Sequence, residues 1–387
     1  MRIALFTEVF LPKIDGITNR LRHTIRCLRD EGHEVLVFAP DCPMREYAGA
    51  RIESLPAIGF PPYPGLRLGL PDPRSAWHLR RFAPHVVHAV GPAFLGVFGL
   101  VAARALALPT VASYHTDLVR YAPLHGLGWV EPALWPAIRA VHNTADLNLC
   151  PSRFTQRELA EHGVRDVGLW RGGVDVERFA PGRRSLALRM QWTGGRPERP
   201  VVLYAGRLSP EKGLDAFRNV LEACPGAQGV LVGDGPSRAD LEASLGGLDV
   251  VFTGFLRGEA LAAAFASADV FFMPSATETL GFVVLEAMAS GVPVVAANAG
   301  GVPDLVAHGE TGWLYEPDRP LDGARCVAEL LREDGRRRQF ALLARKRALE
   351  QDWPSETRRL VETYRRAICG ATSGGPLRRL HRAFVGG

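Results

Sequence analysis

The chain has 387 residues, 47% of them hydrophobic and 22% charged, a composition that excludes disordered, collagen-like and disulfide-scaffold proteins. This length predicts two domains. The net charge of +5 is unevenly distributed, because residues 331–387 contain 14 Lys or Arg and 6 Asp or Glu, which gives +8. Such a basic segment can bind nucleic acid or an anionic membrane, or can consist only of solvated helix faces.

No segment indicates a membrane span or an export signal. The longest apolar run without a charge, residues 89–103, contains a proline and is shorter than the roughly 20 residues that a span needs. The N-terminus lacks the secretory pattern, so we expect a cytosolic protein without a transmembrane helix. The six cysteines form no C-x-x-C pair and are expected to be buried thiols, with no zinc site.

The N-terminal half alternates apolar strands with helices. It begins with a strand at residues 3–7 and a helix whose apolar residues recur between Ile17 and Leu28. Further strands are predicted near Val35, Val86, Val111 and Leu147. This alternation predicts a parallel sheet with helices on both faces.

The pattern is interrupted at residues 181–200, which are rich in Gly, Pro and Arg and are interpreted as a linker. It restarts with strands near Val201, Gly229, Val250, Val270 and Val294. We therefore predict an α/β fold with two Rossmann-like, doubly wound domains, 1–180 and 181–355, that face each other across a cleft. The C-terminal helix, about 356–387, is expected to return to the first domain. Ligands of such sheets bind at the carboxyl ends of the strands.

Several common motifs are absent. There is no G-x-G-x-x-G, and the nearest string, GDGPSR at Gly233, lacks the third glycine, which argues against a dinucleotide dehydrogenase. There is neither a P-loop nor a D-x-D motif. Because a transferase that holds its sugar nucleotide through a divalent metal would be expected to carry D-x-D, we expect no metal and no cofactor.

Two segments of the second half carry the strongest chemical signals. GRLSPEKG places Arg207 and Lys212 on one loop after a strand, where two cations can hold a diphosphate, although solvated loop charges are the alternative. ETLGFVVLEA places Glu278 and Glu286 about 12 Å apart if all eight steps are helical, a spacing that can bracket an extended ligand. Between them, the amides of residues 280–282 at a helix N-terminus suit a phosphate. The alternative is one carboxylate that stabilises the helix dipole and one on the surface.

Two further candidates lie in the first half. DGITNR opens the first helix, and Gly16 there would allow close approach of a phosphate, with a simple capping turn as the alternative. SYHTD places His115 just after a strand, at the edge where ligands bind, although a single histidine is more often structural.

Together these segments resemble the retaining glycosyltransferases of family 4, which have the GT-B fold. The resemblance covers nearly the whole chain and depends on DGITNR, SYHTD, RGGVDVERF, GRLSPEKG, VGDGP, VFTGFL and ETLGFVVLEA, in the family's order. The segment from VFTGFL to GGVPDL looks like sulfoquinovosyl-diacylglycerol synthases. EVFLPKIDGITNRL and WRGGVDVERFAP look like GDP-mannose-dependent α-mannosyltransferases that act on glycolipids.

The resemblance implies a role for each motif residue. Gly16 would approach the donor phosphate, and His115 would lie beside the transferred sugar. Arg207 and Lys212 would hold the diphosphate and stabilise its departure, while Glu278 binds sugar hydroxyls and Glu286 the ribose. The rest of the donor site would comprise Gly233, Asp234, Phe255 and Leu256 around the base and the turn of Thr279, Leu280, Gly281 and Phe282. Many relatives have glycine where this chain has Thr279, which bears on recognition of the sugar.

The implied function is transfer of a hexose, without a metal, from a UDP- or GDP-linked sugar to an acceptor, expected to be a membrane lipid such as diacylglycerol or a glycolipid. A GDP-mannose-dependent enzyme with a soluble or polysaccharide acceptor, or another GT-B enzyme such as an epimerase, is the alternative. Residues 58–70 and 121–135 are candidate lipid contacts, with buried loop packing as the alternative. We expect a cytoplasmic protein, peripheral on the inner face of the membrane, with no nucleic-acid partner. The base (UDP, GDP or ADP) and the oligomeric state stay open.

Overall fold

The computed structural model of the chain describes residues 1–13, 15–59, 67–70, 72–116, 119–120 and 128–373. It divides into two compact units, Met1–Arg171 together with the segment that begins at Trp353, and Gly172–Asp352. The sequence pattern places this division near residue 180. The structure assigns residues 172–180 to the second unit because Val174 bridges to Asp352 there, and Arg345 donates to the carbonyl oxygens of Val176 and Phe179.

The first unit is built on an eight-stranded sheet in the order β10-β9-β8-β7-β1-β2-β4-β3, parallel except for the β3–β4 pair, with a separate β5–β6 hairpin. Its elements before residue 172 are β1 (Arg2–Thr7), α1 (Gly16–Asp30), β2 (Glu34–Pro40), β3 (Glu46–Tyr47), β4 (Ala50–Leu55), β5 (Ala57–Gly59), β6 (Arg67–Gly69), α2 (Pro73–Phe82), β7 (Val86–Val90), α3 (Leu95–Ala105), β8 (Thr110–Ser113), α4 (Glu131–His142), β9 (Leu147–Cys150), α5 (Arg153–Glu161) and β10 (Val167–Leu169).

The second unit contains a six-stranded, fully parallel sheet in the order β13-β12-β11-β14-β15-β16. Its elements are α6 (Leu186–Trp192), β11 (Val201–Ala205), α7 (Ala216–Ala223), β12 (Gln228–Val232), α8 (Arg238–Ser244), β13 (Val250–Gly254), α9 (Gly258–Ala266), β14 (Val270–Met273), α10 (Phe282–Ala289), β15 (Val294–Ala297), α11 (Val302–Leu305), β16 (Gly312–Tyr315), α12 (Pro320–Arg332) and α13 (Asp334–Leu349).

The segment interpreted as a linker, residues 181–200, is instead part of the second unit. It contains α6, and Trp192 at the end of this helix is buried. The buried Arg189 donates to the carbonyl oxygens of Pro197 and Ser267 and to the carboxylate of Asp269. The arginines that make the composition linker-like therefore hold this segment to the sheet.

The strand residues of the first unit alternate between two cores, as the pleat of a sheet covered on both faces requires. Ile3 and Leu5 of β1 belong to one apolar cluster, while Ala4 and Phe6 belong to the cluster on the opposite face. The rings of Phe6 and Phe38 stack 4.2 Å apart in that second cluster. A doubly wound α/β unit results, with the carboxyl ends of its parallel strands at one edge.

The C-terminal helix α14 (Trp353–Ser373) lies against α1 in the first unit. Leu360, Val361, Tyr364 and Ala367 are buried in the cluster that contains Ile3. The sequence analysis expects a helix over about 356–387, of which residues 374–387 lie outside the described part of the chain.

Among the described residues, no helix combines the length and the apolar composition that a membrane crossing would need. Cys42, Cys150 and Cys224 are buried, as expected, whereas Cys369 is exposed.

Candidate functional site

The loop after β11 carries two of the candidate residues. Arg207 follows the strand with an exposed side chain, and Lys212 ends a 3₁₀ turn, Pro210–Lys212. The hydroxyl of the buried Tyr204 donates to the carbonyl oxygen of Arg207 over 3.0 Å. A Cβ at Gly206 would lie 2.7 Å from that hydroxyl oxygen. The strand therefore fixes the backbone of Arg207 and leaves its guanidinium facing solvent.

Lys212 forms an ion pair with Glu278, although the sequence analysis gives these residues separate ligands. The Lys212 Nζ lies 2.5 Å from Oε1 of Glu278, and the two side chains are only 14% and 16% exposed. Next to this ion pair, the hydroxyl of Thr277 donates to the carbonyl oxygen of Glu211. The predicted diphosphate and sugar residues thus form one charged centre at the carboxyl ends of β11 and β14.

The phenol of Tyr204 lies under this centre. Burial raises the pKa of Tyr204 well above its ordinary value, and the negative charges of Glu278 and Glu211 raise it further. Tyr204 therefore remains an uncharged hydrogen-bond donor at every physiological pH.

Glycines allow the loops around the charged centre to approach closely. A Cβ at Gly233, where φ is +134°, would lie 1.9 Å from the carbonyl oxygen of Gly206, and one at Gly235 would lie 2.2 Å from that of Leu208. The amide of Leu208 donates to the carbonyl oxygen of Asp234. Gly233, predicted to border the base, thus has a steric reason to be glycine that does not depend on a ligand.

A second close approach involves Gly300 and Gly301, which the sequence analysis does not select. A Cβ at Gly300 would lie 2.1 Å from the carbonyl oxygen of Glu278, and one at Gly301 would lie 2.3 Å from that of Thr279. The amide of Gly301 also donates to the Glu278 carbonyl oxygen. Consecutive glycines three residues after the end of a buried strand are the sequence signal that could have indicated this support.

Helix α10 begins only at Phe282. Gly281 precedes it with φ +91° and, lacking a side chain, makes no side-chain capping bond to the first turn. Leu280 is buried, and a Cβ at Gly172 would lie 2.2 Å from the ring of Phe282. The condition for a separation of about 12 Å between Glu278 and Glu286 is not met, because only four of the eight steps are helical, and these four rise about 6 Å.

Glu286 lies on α10 with a small part of its surface exposed. Burial of its carboxyl raises the pKa of Glu286 to about 8, although the positive charge of Arg178 acts in the opposite direction. The sequence analysis treats this carboxylate as an acceptor for ribose. The raised pKa favours the protonated acid, which can donate a hydrogen bond as well as accept one.

The residues predicted to border the base are less closely joined. Phe255, just after β13, is 68% exposed, and Leu256 is partly buried against the core of the second unit. The Asp234 carboxylate accepts from the amide of Gly235 and lies 3.4 Å from a guanidinium nitrogen of Arg238. The exposed ring of Phe255 is the one large apolar surface of this set.

In the first unit, α1 begins at Gly16, and the Asp15 side chain caps it by accepting from the amide of Thr18 over 2.8 Å. This is the capping turn that the sequence analysis holds as the alternative to a phosphate site. Gly16 itself is exposed.

His115 belongs to a chain of buried hydrogen bonds in the first unit. Its Nε2 lies 2.8 Å from Oγ of Ser113, which in turn lies 2.8 Å from Nε2 of His88. The Nδ1 of His88 lies 2.8 Å from the hydroxyl oxygen of Tyr364 on α14. His88 could have been noticed in the sequence, because it is a polar residue within an otherwise apolar strand.

Burial and a nearby cation keep the imidazoles of His88 and His115 neutral. Burial lowers the pKa of His88 to about 3 and that of His115 well below its ordinary value, and the positive charge of Arg20 lowers both further. Arg20 is itself buried, with its guanidinium 4.8 Å from the ring centroid of Trp170. Burial lowers the Arg20 pKa to about 10, and the negative charge of Glu356 acts in the opposite direction.

The structure therefore brings Arg207, Lys212, Gly233, Glu278 and the start of α10 together in the second unit. Gly16 and His115 belong to the first unit. Within the described ranges, no group of three or more His, Cys, Asp and Glu side chains is placed to hold a metal ion.

Comparisons with known proteins place this site in a class. The family profile described as "Glycosyltransferase Family 4" matches residues 14–178, and that described as "Glycosyl transferases group 1" matches residues 199–333. A GDP-mannose-dependent alpha-mannosyltransferase of Mycolicibacterium smegmatis is 43% identical over 96% of this chain and 99% of that protein. Sulfoquinovosyl transferase SQD2 of Arabidopsis thaliana is 39% identical over 95% of this chain and 74% of that protein.

Solved structures of low sequence identity share the fold. Sucrose-phosphate synthase from Thermosynechococcus elongatus superimposes with a TM-score of 0.77 at 21% identity, over 95% of this chain and 99% of that one. HepE of Anabaena, in complex with UDP, gives a TM-score of 0.76 at 22% identity, over 94% of this chain and 99% of that one.

The two Rossmann-like halves define a GT-B protein, and the matched profiles define a glycosyltransferase. The chain belongs to glycosyltransferase family 4. The predicted fold class and family are thereby confirmed.

Proposed function

We propose that the chain transfers a hexose from a nucleotide diphosphate sugar to a lipid acceptor, with retention of anomeric configuration and without a divalent metal. The observation that carries this proposal is the charged centre of Lys212 and Glu278 beside the exposed Arg207. This centre lies at the carboxyl ends of parallel strands, where such sheets bind ligands.

The donor diphosphate would be held by cations and by the start of α10. The ammonium of Lys212 has three donor hydrogens, so it can keep Glu278 and also bind a phosphate oxygen. Arg207 adds a planar guanidinium that suits a phosphate edge. The first turn of α10 has no side-chain cap, and the dipole of a helix favours an anion there.

This arrangement supplies the charge that a metal would otherwise bring. As the glycosidic bond breaks, the diphosphate gains negative charge, and positioned cations stabilise it. Glu278 would accept hydrogen bonds from sugar hydroxyls and stabilise the positive charge that develops on the sugar. The departing phosphate would act as base toward the acceptor on the same face, which retains the anomeric configuration.

GDP-mannose is our first candidate donor. Relatives named GDP-mannose-dependent alpha-mannosyltransferase are 43% and 41% identical to this chain and match 99% and 93% of their own lengths. A UDP-linked sugar, the other donor that the sequence resemblance implies, is the second candidate. The exposed Phe255 offers the base an apolar surface in either case.

The lipid acceptor is supported by relatives whose names specify one, such as alpha-monoglucosyldiacylglycerol synthase of Streptococcus pneumoniae at 26% identity. Of the segments predicted to contact lipid, residues 60–66 and 121–127 lie outside the described part of the chain. The described remainder includes the exposed Ile58 and Leu70, and Trp129, which is 79% exposed. Trp135 is instead stacked on His162, with ring centroids 3.7 Å apart.

Peripheral attachment to an anionic membrane remains part of the proposal, but the structure reduces the charge that is available for it. Several arginines of the basic region are paired, among them Arg336 with Glu329 and Arg337 with Asp334. Binding to anionic vesicles should accordingly be weak and should fall with rising salt.

The test is an assay of nucleotide release from GDP-mannose, UDP-glucose and ADP-glucose, with and without vesicles that contain diacylglycerol or glycolipid. We expect GDP release that depends on the lipid, persists in excess chelator and yields a product with the donor's anomeric configuration. Loss of turnover in chelator, restored by magnesium or manganese, would refute the metal-free mechanism. Transfer only to a soluble or polysaccharide acceptor, or conversion of the sugar without a glycosidic product, would support the alternatives instead.

A further inference from the structure

In the hydrogen-bonded series of Tyr364, His88, Ser113 and His115, one direction of donation gives the buried Tyr364 hydroxyl an acceptor. Tyr364 and His88 are fully buried, and Ser113 is buried between the two histidines. Within the described part of the chain, the structure gives the Tyr364 hydroxyl no hydrogen-bond partner other than Nδ1 of His88. A buried hydroxyl without an acceptor is costly, so the proton of Tyr364 belongs to this bond.

The remaining hydrogens follow from that first one. Neutral imidazole carries one N–H. Because Nδ1 of His88 accepts from Tyr364, Nε2 of His88 carries the hydrogen and donates it to Ser113. The single hydroxyl hydrogen of Ser113 then points to Nε2 of His115, which accepts it. The hydrogen of His115 is consequently on Nδ1, for which the described residues offer no acceptor.

We propose that Tyr364, His88 and Ser113 are positioning residues that hold His115 in the tautomer with its hydrogen on Nδ1, so that His115 presents a donor, not a lone pair, to the substrate. The proposal deepens the proposed function and rests on it for the identity of the substrate. The oxygen that accepts this hydrogen would belong to the transferred sugar or to the acceptor.

Such a device suits glycosyl transfer on chemical grounds. The sugar gains positive charge at its anomeric carbon as the leaving group departs. A neutral imidazole whose lone pair faced this carbon could attack it and form a glycosyl-imidazolium, whereas the only lone pair in the ring plane of His115 is occupied by the Ser113 proton. The same bond fixes the orientation of the ring, since Ser113 lies on the rigid strand β8.

The test is the tautomeric state of His115, read from a long-range ¹H–¹⁵N correlation spectrum of the whole chain labelled with ¹⁵N-histidine. The His115 signals are assigned by their loss in His115→Gln. We expect the wild-type pattern of a neutral ring with its hydrogen on Nδ1. A hydrogen on Nε2 would overturn the proposal, and this measurement needs no substrate.

Tyr364→Phe removes only the hydroxyl that sets the direction of donation along the hydrogen bonds to His115. We expect the two His115 nitrogens to shift toward a mixture of both tautomers. Tyr315→Phe, which removes another buried phenol from β16 in the second unit, is the matched control and should leave His115 unchanged. An unchanged His115 pattern in Tyr364→Phe would show that the tyrosine does not set the tautomer.

Kinetics add a second readout. If both tautomers become equally populated, the competent fraction is halved, and kcat/KM for the donor should fall about twofold, or further if the other tautomer prevails. Because the spectrum is recorded without substrate, inactivity with every donor would count against the proposed function while the tautomer result still decides the hydrogen-bond chain.

Discussion

The two candidate regions use polar groups in opposite ways. In the second unit, Lys212 and Glu278 are charged and paired over 2.5 Å. In the first unit, His88, Ser113 and His115 are linked without any net charge, and Arg20 near them lowers the pKa values of both histidines. The comparison teaches that the charged region is suited to a phosphate ligand, whereas the neutral chain is suited to the hydroxyl groups of a sugar.

The largest expected effect tests the charged region. Lys212→Ala and Arg207→Ala should each lower turnover by about two to three orders of magnitude, because a positioned donor aimed at developing charge is worth about 3–4 kcal/mol. Lys212→Arg should cause only a partial loss, because the positive charge is kept but a planar fork replaces a compact ammonium. Steady-state kinetics with the donor varied is the measurement.

The chain offers a matched control in Lys346, an exposed lysine of α13. Lys346→Ala should keep wild-type turnover. Wild-type turnover in Lys212→Ala or Arg207→Ala, with the fold intact, would remove these cations from the site.

The next effect concerns stability. Gly233→Ala should lower the free energy of unfolding by about 3 kcal/mol, because its Cβ would meet the carbonyl oxygen of Gly206 at 1.9 Å and φ is +134°. Urea unfolding measures this, with Gly335→Ala as control, since a Cβ there meets nothing within 4 Å. Equal midpoints for the two variants would mean that the loops can separate at little cost.

Substitution of the two glutamates separates transition-state interactions from binding. Glu278→Gln should lower kcat, because it removes the carboxylate that we propose binds the sugar, which is also the partner of Lys212. Glu286→Gln should raise KM with kcat largely kept, because its proposed contact with the remote ribose would be similar in ground and transition states. The measurement is steady-state kinetics with the donor concentration varied. If Glu286→Gln chiefly lowers kcat while Glu278→Gln chiefly raises KM, the sugar and ribose assignments of the two glutamates are exchanged.

A pH dependence of stability is also expected. The unfolded chain releases the Glu286 proton near the ordinary value of 4.5, whereas the folded chain keeps it until a pKa of about 8. Rising pH through this window therefore favours the unfolded state. The Tm of Glu286→Gln relative to wild type should increase from pH 5 to pH 8, while the exposed Glu177→Gln serves as control. A constant difference in Tm would show that Glu286 is ionised throughout.

The sequence is sufficient to predict ten strands of the two sheets, and the family, because their signals are local, whereas β3–β6, β10 and β16 are not predicted. Apolar runs such as those at Val201 and Val294 form strands of the second sheet, and the motifs around Arg207 and Glu278 are contiguous. The composition of residues 181–200 is misleading because two of the arginines that suggest a linker are buried donors: Arg189 in α6 donates to the carbonyl oxygen of Ser267, and Arg199 donates to that of Ala227.

The contacts that the sequence does not predict join distant residues. Tyr364 meets His88 across 276 positions, and Lys212 meets Glu278 across 66. Gly300 and Gly301 are visible in the sequence as consecutive glycines, but the Glu278 carbonyl oxygen that excludes a side chain at Gly300 is 22 positions away and is not indicated by it. The pKa of Glu286 likewise depends on the burial that surrounding elements create.

Helix α14 has a consequence for biosynthesis. The first unit contains residues from both ends of the described chain, since Tyr364 and Leu360 are buried in the same cluster as Ile3. During translation, a ribosome would release the N-terminal strands long before this helix emerges, whereas every element of the second unit is made in one continuous stretch. The half whose synthesis begins first is therefore completed last, and until then the apolar surface beside α1 lacks its cover.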